Sequence, residues 1–168
     1  MIYVVGCNHG IQPRDQDALF GDTSQARDQK SHFTTLIEEI IKGHKIQFVG
    51  EEWGLQETTI ARASAGNGVR WANINTSRED LREMGIPPDY LKGEYSSGQK
   101  AQWNRQREQV MLRKIQEYKG DTERLLVVCG FEHLQPLAEL LLKINTSVAT
   151  IDYRNLSWYQ PNVFTDDS

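Results

Sequence analysis

Two histidines in this chain stand three residues after a glycine that interrupts an apolar run. Ile2-Tyr3-Val4-Val5 leads into Gly6-Cys7-Asn8-His9, and Leu125-Leu126-Val127-Val128-Cys129 leads into Gly130-Phe131-Glu132-His133. Imidazole titrates near neutral pH, so a histidine delivered at the end of a buried strand can serve as acid, base or metal ligand. The glycine is expected to let the backbone turn tightly there. A third apolar run, Ile46-Gln47-Phe48-Val49, ends in Gly50 and the adjacent carboxylates Glu51 and Glu52. Carboxylates at the end of a buried strand need a positive partner to offset desolvation.

Arg107 is the candidate partner. In a helix expected over 99–118, Trp103, Arg107 and Met111 fall at four-residue spacing, with Val110 and Tyr118 extending the apolar face. Arg107 thus interrupts the stripe that should pack on a sheet. A buried guanidinium calls for a carboxylate, which its planar fork can hold bidentately. The competing reading is an arginine that snorkels outward from a partly buried stem. Lys100, Arg105, Arg113 and Lys114 alternate with Glu108 and Glu117 on that helix and read as a solvated face. His32 and His44 lie at the ends of an amphipathic segment and read as structural.

Cys7 and Cys129 neighbour the two glycines, and a thiolate with either histidine as base is sensible chemistry. Free cysteines buried beside strand ends are the plainer reading. A P-loop, a Gly-x-Gly-x-x-Gly turn after the first strand and a Gly-x-Ser-x-Gly elbow are all missing from the sequence.

The elements that must position these groups alternate. Strands are expected at 2–5, 46–49, 69–74, 125–129 and 147–152. The stretch 12–30 reads as a long loop at the end of the first strand. Ser31 is the expected N-cap of a helix with Phe33, Leu36, Ile37, Ile40 and Ile41 on one face, closing near Gly43. A short helix over 57–64 stops at Gly66-Asn67-Gly68. Ser77, with Asp80 three residues on, caps another that Gly85 closes. Residues 86–98 read as a loop, and the long helix follows, closed by Gly120. Pro136 suits the first turn of a last helix with Leu137, Leu140, Leu141 and Ile144 on one stripe.

Strand–helix alternation implies an α/β fold: one domain over 1–168, a mainly parallel sheet of about five strands with flanking helices, and 153–168 as a C-terminal tail. His9, Glu51, Glu52, Asn75 and His133 then share the sheet edge at the strand C-termini. A Rossmann-like order would make the first and fourth strands neighbours.

With 168 residues the chain can bury a proper core. Its net charge of −4 disfavours nucleic acid or a membrane surface as main partner. No apolar run approaches the roughly 20 residues that cross a bilayer, and two cysteines make no disulfide scaffold. The expectation is a soluble, cytoplasmic protein.

The ordered set Gly6-Cys7-Asn8-His9, Glu51-Glu52, Arg107-Glu108-Gln109-Val110-Met111 and Gly130-Phe131-Glu132-His133 resembles the superfamily of erythromycin esterases, ChaN haem-binding proteins, TraB/PrgY proteins and Tiki proteases. The resemblance spans Gly6 to His133. It implies one site at the strand C-termini, with His9 and His133 as the motif histidines, Glu51 or its rival Glu52 as the family glutamate, and Arg107 as the helix arginine. It implies a hydrolase of ester or peptide-type bonds acting on a small-molecule or peptide substrate. That chemistry runs by general acid/base catalysis, or with a divalent metal held by His9, Glu51 and His133. The alternative is a ligand- or haem-binding module without catalysis. The chain is shorter than most relatives, and its loops at 12–30 and 87–98 are its own.

Overall fold

The computed structural model describes residues 1–12, 24–53, 58–88, 90, 93–144 and 147–160. Five strands form one parallel sheet: β1 (Ile2–Cys7), β2 (Phe48–Glu51), β3 (Arg70–Asn73), β4 (Leu125–Gly130) and β5 (Val148–Asp152). Their order is β3-β2-β4-β1-β5. β1, β2 and β4 are almost wholly buried while β3 and β5 are partly open. The unbroken apolar runs therefore belong to strands covered on both faces.

The α-helices among the described residues are α1 (Ser24–Gly43), α2 (Thr59–Gly66), α3 (Arg78–Glu83), α4 (Ser97–Lys119) and α5 (Phe131–Leu142). The chain moves from β1 to β2 to β3 toward one edge, then through β4 to β5 toward the other. Right-handed crossovers in opposite directions must use opposite faces. Accordingly, Phe33, Ile37 and Ile40 of α1 and Ile60 of α2 pack with Val5, Val49 and Val128 on one side. Met111 and Ile115 of α4 and Leu137 and Leu141 of α5 pack with Val4, Phe48 and Val127 on the other.

β1 and β4 are neighbours, as expected, with Gly6 opposite Cys129 and Cys7 opposite Gly130. The order is not Rossmann-like, however, because β4 also separates β1 from β2. Several boundaries move as well. α1 starts at Ser24, so 24–30 of the expected loop is helix, while 13–23 lies outside the described residues. β2 starts at Phe48 because Lys45, at φ +51°, closes α1 and the Ile46 N–H bonds back to Ile41 O at 3.0 Å. α5 starts at Phe131, directly after β4, so Pro136 falls in its second turn and His133 in its first.

Other local expectations agree with the structure. Ser77 and Asp80 form the capping box of α3, and Gly85 ends it at φ +67°. Gly120 follows α4 at φ +55°. The tail begins differently: Tyr153 is fully buried in a 3-10 turn and stacks on Phe131 at 5.0 Å.

The two motif glycines do not serve turns. Gly130 has φ −61° and ψ 154°, open to any residue, and Gly6 lies within β1. Each makes room for the other motif's segment. A Cβ on Gly6 would lie 2.8 Å from Leu134 Cδ2, and one on Gly130 would lie 2.7 Å from His9 Nε2. Gly6→Ala should therefore push α5 off β1 and cost about 1–3 kcal/mol, the usual range for overpacking. Urea unfolding of that variant at the wild-type midpoint would contradict this close approach.

Candidate functional site

β4 leads into α5 on one face of the sheet, whereas its neighbours β1 and β2 lead into helices on the other. Departures to opposite faces make a topological switch point at the strand C-termini, the place where open α/β sheets bind ligands. His9 begins a 3-10 turn there, His9–Ile11, started by Asn8, whose Oδ1 accepts from Gly10 N at 2.7 Å. Glu52 lies one residue past β2, and its N–H donates to Val128 O at 2.8 Å, continuing the ladder. Successive strand side chains alternate faces. Glu51 and Glu52 therefore part company, Glu51 toward α2 and Glu52 toward α4 and α5.

Glu52 is the hub. It is fully buried, and Oε1 accepts from Arg107 Nη2 at 2.6 Å while Oε2 accepts from Gly130 N at 2.9 Å. His133 Nε2 lies 3.4 Å from Oε1 and His9 Nε2 lies 3.9 Å from Oε2. Desolvation pushes the carboxyl up. The positive charge of His133 and His9 when protonated, that of Arg107, and the Gly130 N–H outweigh it and hold Glu52 below its ordinary range.

Arg107 is buried, as its place in the stripe predicts, but its fork is shared rather than bidentate. Nη2 takes Glu52, while Nη1 lies 3.0 Å from His133 Nε2. Longer bonds of 3.4 Å reach Thr76 Oγ1, Asn75 Oδ1 and Asn104 Oδ1, and the Tyr90 ring lies 5.4 Å from Cζ. A guanidinium only donates, so His133 Nε2 must accept. The proton of neutral His133 then sits on Nδ1, which donates to Glu108 Oε1 at 2.9 Å.

Glu108 corrects the expectation of a solvated face, since only 3 % of it is exposed. Lys114 departs too: it is half-buried and bonds Asn75 O and Asp80. Tyr118, expected on the apolar face, is exposed. Glu108 is buried because α5 packs beside α4 and widens the buried sector beyond the stripe that the sequence shows. His32 and His44 do have structural roles, stacking on Trp158 and Tyr3.

Glu51 lies apart from this cluster. It is fully buried, and its Oε2 accepts from Thr58 Oγ1 at 2.6 Å and Trp71 Nε1 at 2.7 Å. Its Oε1 accepts from Gln12 Nε2 at 3.0 Å. Burial raises its carboxyl to about 7 against these three lowering bonds. Gln12, also fully buried, was missed at the sequence level, where it read as the first residue of a loop. Its Oε1 lies 2.7 Å from His9 Nδ1. His9 is the accessible member of the site, its side chain 37 % exposed and its ring 5.5 Å from Trp53.

The ligand trio His9, Glu51 and His133 is not assembled. Glu51 is spent on Thr58, Trp71 and Gln12, and His133 Nε2 faces a guanidinium, which repels a cation. Among the described residues, no group of three or more His, Cys, Asp or Glu side chains is placed to hold a metal ion. Cys7 and Cys129 are buried and form no disulfide. Burial, with the charges of Glu52 and Glu108, pushes the Cys129 thiol well up, away from the thiolate a nucleophile needs. Among the described residues, no helix is long and apolar enough to cross a membrane. The chain thus has a parallel α/β fold with a buried Glu52–Arg107–His133–Glu108 network beneath an accessible histidine, and no family model, curated protein or solved structure matches it.

Proposed function

We propose that this chain is a small cytoplasmic hydrolase of ester or peptide-type bonds, in which His9 is the general base. The observation that carries the reading is a part-exposed imidazole, His9, whose Nε2 lies 3.9 Å from a buried, ion-paired carboxylate. A water meeting Nε2 loses its proton to it while attacking the substrate carbonyl. The imidazolium that forms is stabilised by Glu52 and then returns the proton to the leaving group. Arg107 and His133 touch no substrate in this scheme: both terminal nitrogens of Arg107 are engaged, and His133 is buried. They hold Glu52 in place, and Glu108 holds His133. The ordered motifs that resemble the erythromycin esterase and Tiki superfamily support the same reading, and its metal-free branch fits these donors better than its metal-dependent one.

The test is a panel of chromogenic ester and peptide substrates. His9→Ala removes a part-exposed side chain and should keep the fold while lowering kcat by the ~10²–10⁴ that a general base contributes. A chelator should leave wild-type turnover unchanged. Unaltered turnover in His9→Ala, or no turnover by the wild type across both substrate classes, sinks the proposal. In the latter case, haem or small-ligand binding retained in Glu52→Gln would favour the binding-module alternative.

A further inference from the structure

His9 can act as a base at Nε2 only if its proton sits on Nδ1, and imidazole in water has no strong reason to choose that form. The reason lies behind it. His9 and Gln12 are three residues apart across a 3-10 turn, where side chains eclipse, and the Gln12 N–H donates to His9 O at 3.1 Å. The Gln12 amide nitrogen faces two acceptors, Glu51 Oε1 at 3.0 Å and Glu52 O at 3.4 Å. Turning the amide over would aim its oxygen at both. The Gln12 oxygen is therefore the atom 2.7 Å from His9 Nδ1, and it accepts the Nδ1 proton.

Above pH about 7, where Glu51 is ionised and only accepts, its other oxygen is also fully engaged. Thr58, the N-cap of α2, and Trp71 of β3 both donate to Oε2. No lysine or arginine among the described residues is bonded to it. The polarity of this hydrogen-bonded chain runs one way: Thr58 and Trp71 donate to Glu51, Gln12 donates to Glu51, and His9 donates to Gln12.

We propose that Gln12 and Glu51 are positioning residues that lock His9 in the Nδ1–H tautomer and so leave Nε2, on the side of Glu52, as the ring's lone pair. This gives the second carboxylate a role distinct from that of Glu52. Only the use of the lone pair for catalysis rests on the hydrolase reading; the tautomer stands without it.

The test is ¹⁵N-resolved NMR of the histidine rings in the full chain, at an alkaline pH where the ring ¹⁵N shifts themselves show neutral imidazoles. The wild type should show His9 protonated at Nδ1 and bare at Nε2. Glu51→Gln should reverse this. The new amide must keep its oxygen toward Thr58 and Trp71, so its nitrogen faces Gln12. The Gln12 amide then turns over, donates to Nδ1, and moves the His9 proton to Nε2. Gln12→Met, which keeps length and removes the amide, should abolish the preference for Nδ1–H.

A wild-type His9 protonated at Nε2 overturns the proposal, and so does a tautomer that Gln12→Met leaves unchanged. The wild-type spectrum decides even where a variant fails to fold. On a cleaved substrate, Glu51→Gln should also lose the ~10²–10⁴ of the general base. The expected tautomers with no turnover anywhere on the panel would remove the hydrolase reading and leave this one standing.

Discussion

Replacing Arg107 with methionine should destabilise the protein by about 3–5 kcal/mol, the cost of leaving a buried charge without its partner. The Glu52 side chain has no exposure and that of Arg107 has 8 %, so water cannot replace the guanidinium. What remains for Glu52 is the Gly130 N–H and two histidines that must gain a proton to help. The double variant Glu52→Gln, Arg107→Met removes both charges and should regain more than half of the loss, because the desolvation penalty goes with the carboxylate. Urea unfolding of the two single variants and the double completes the cycle. Additive losses would mean that the pair is not coupled.

The same pair sets an acid limb. Glu52 is held below its ordinary value in the folded protein, so its contribution is present above the unfolded value near 4.5 and is lost as pH falls through the folded one. That limb should flatten in Arg107→Met.

How far the sequence carried this reading differs from residue to residue. Arg107 was legible because one charged residue in an apolar helical stripe has few explanations. Glu108, one residue on, was not. Helical periodicity describes a single face, and here a second helix, α5, buries the flank. The four residues that end the apolar runs were recognisable as a group, since parallel topology sends all strand C-termini to one edge.

The split between Glu51 and Glu52 depended on which face of the sheet each takes, and a short strand buried on both faces, Phe48–Glu51, carries no hydrophobic alternation to record that. The insertion of β4 between β1 and β2 was equally hidden, because α1 is long enough to cross either one strand or two. Gln12 left no trace at all. A buried amide is made functional by what surrounds it, and its surroundings come from the 3-10 turn, α2, β2 and β3.

The stability of the chain should fall as pH rises from 4.5 to about 7, and Glu51 is the cause. Its carboxyl stands at about 7 in the folded protein against 4.5 ordinarily, because burial disfavours the charged form more than three hydrogen bonds restore it. Between those values the folded state binds the proton that the unfolded state has released, so each rise in pH favours unfolding. Below 4.5 both states are protonated and the contribution is complete; above 7 it has been lost. A shift of this size corresponds to about 3 kcal/mol at one pKa unit per 1.36 kcal/mol. Urea unfolding at pH values on either side of the window should show that fall in the wild type and a nearly flat profile in Glu51→Gln. The slope opposes the acid limb of Glu52, which lies at lower pH, so the two carboxylates are separable in one titration of stability. A wild-type stability that climbs steadily through neutrality would show that Glu51 is ionised in the fold well below 7, its donors outweighing its burial.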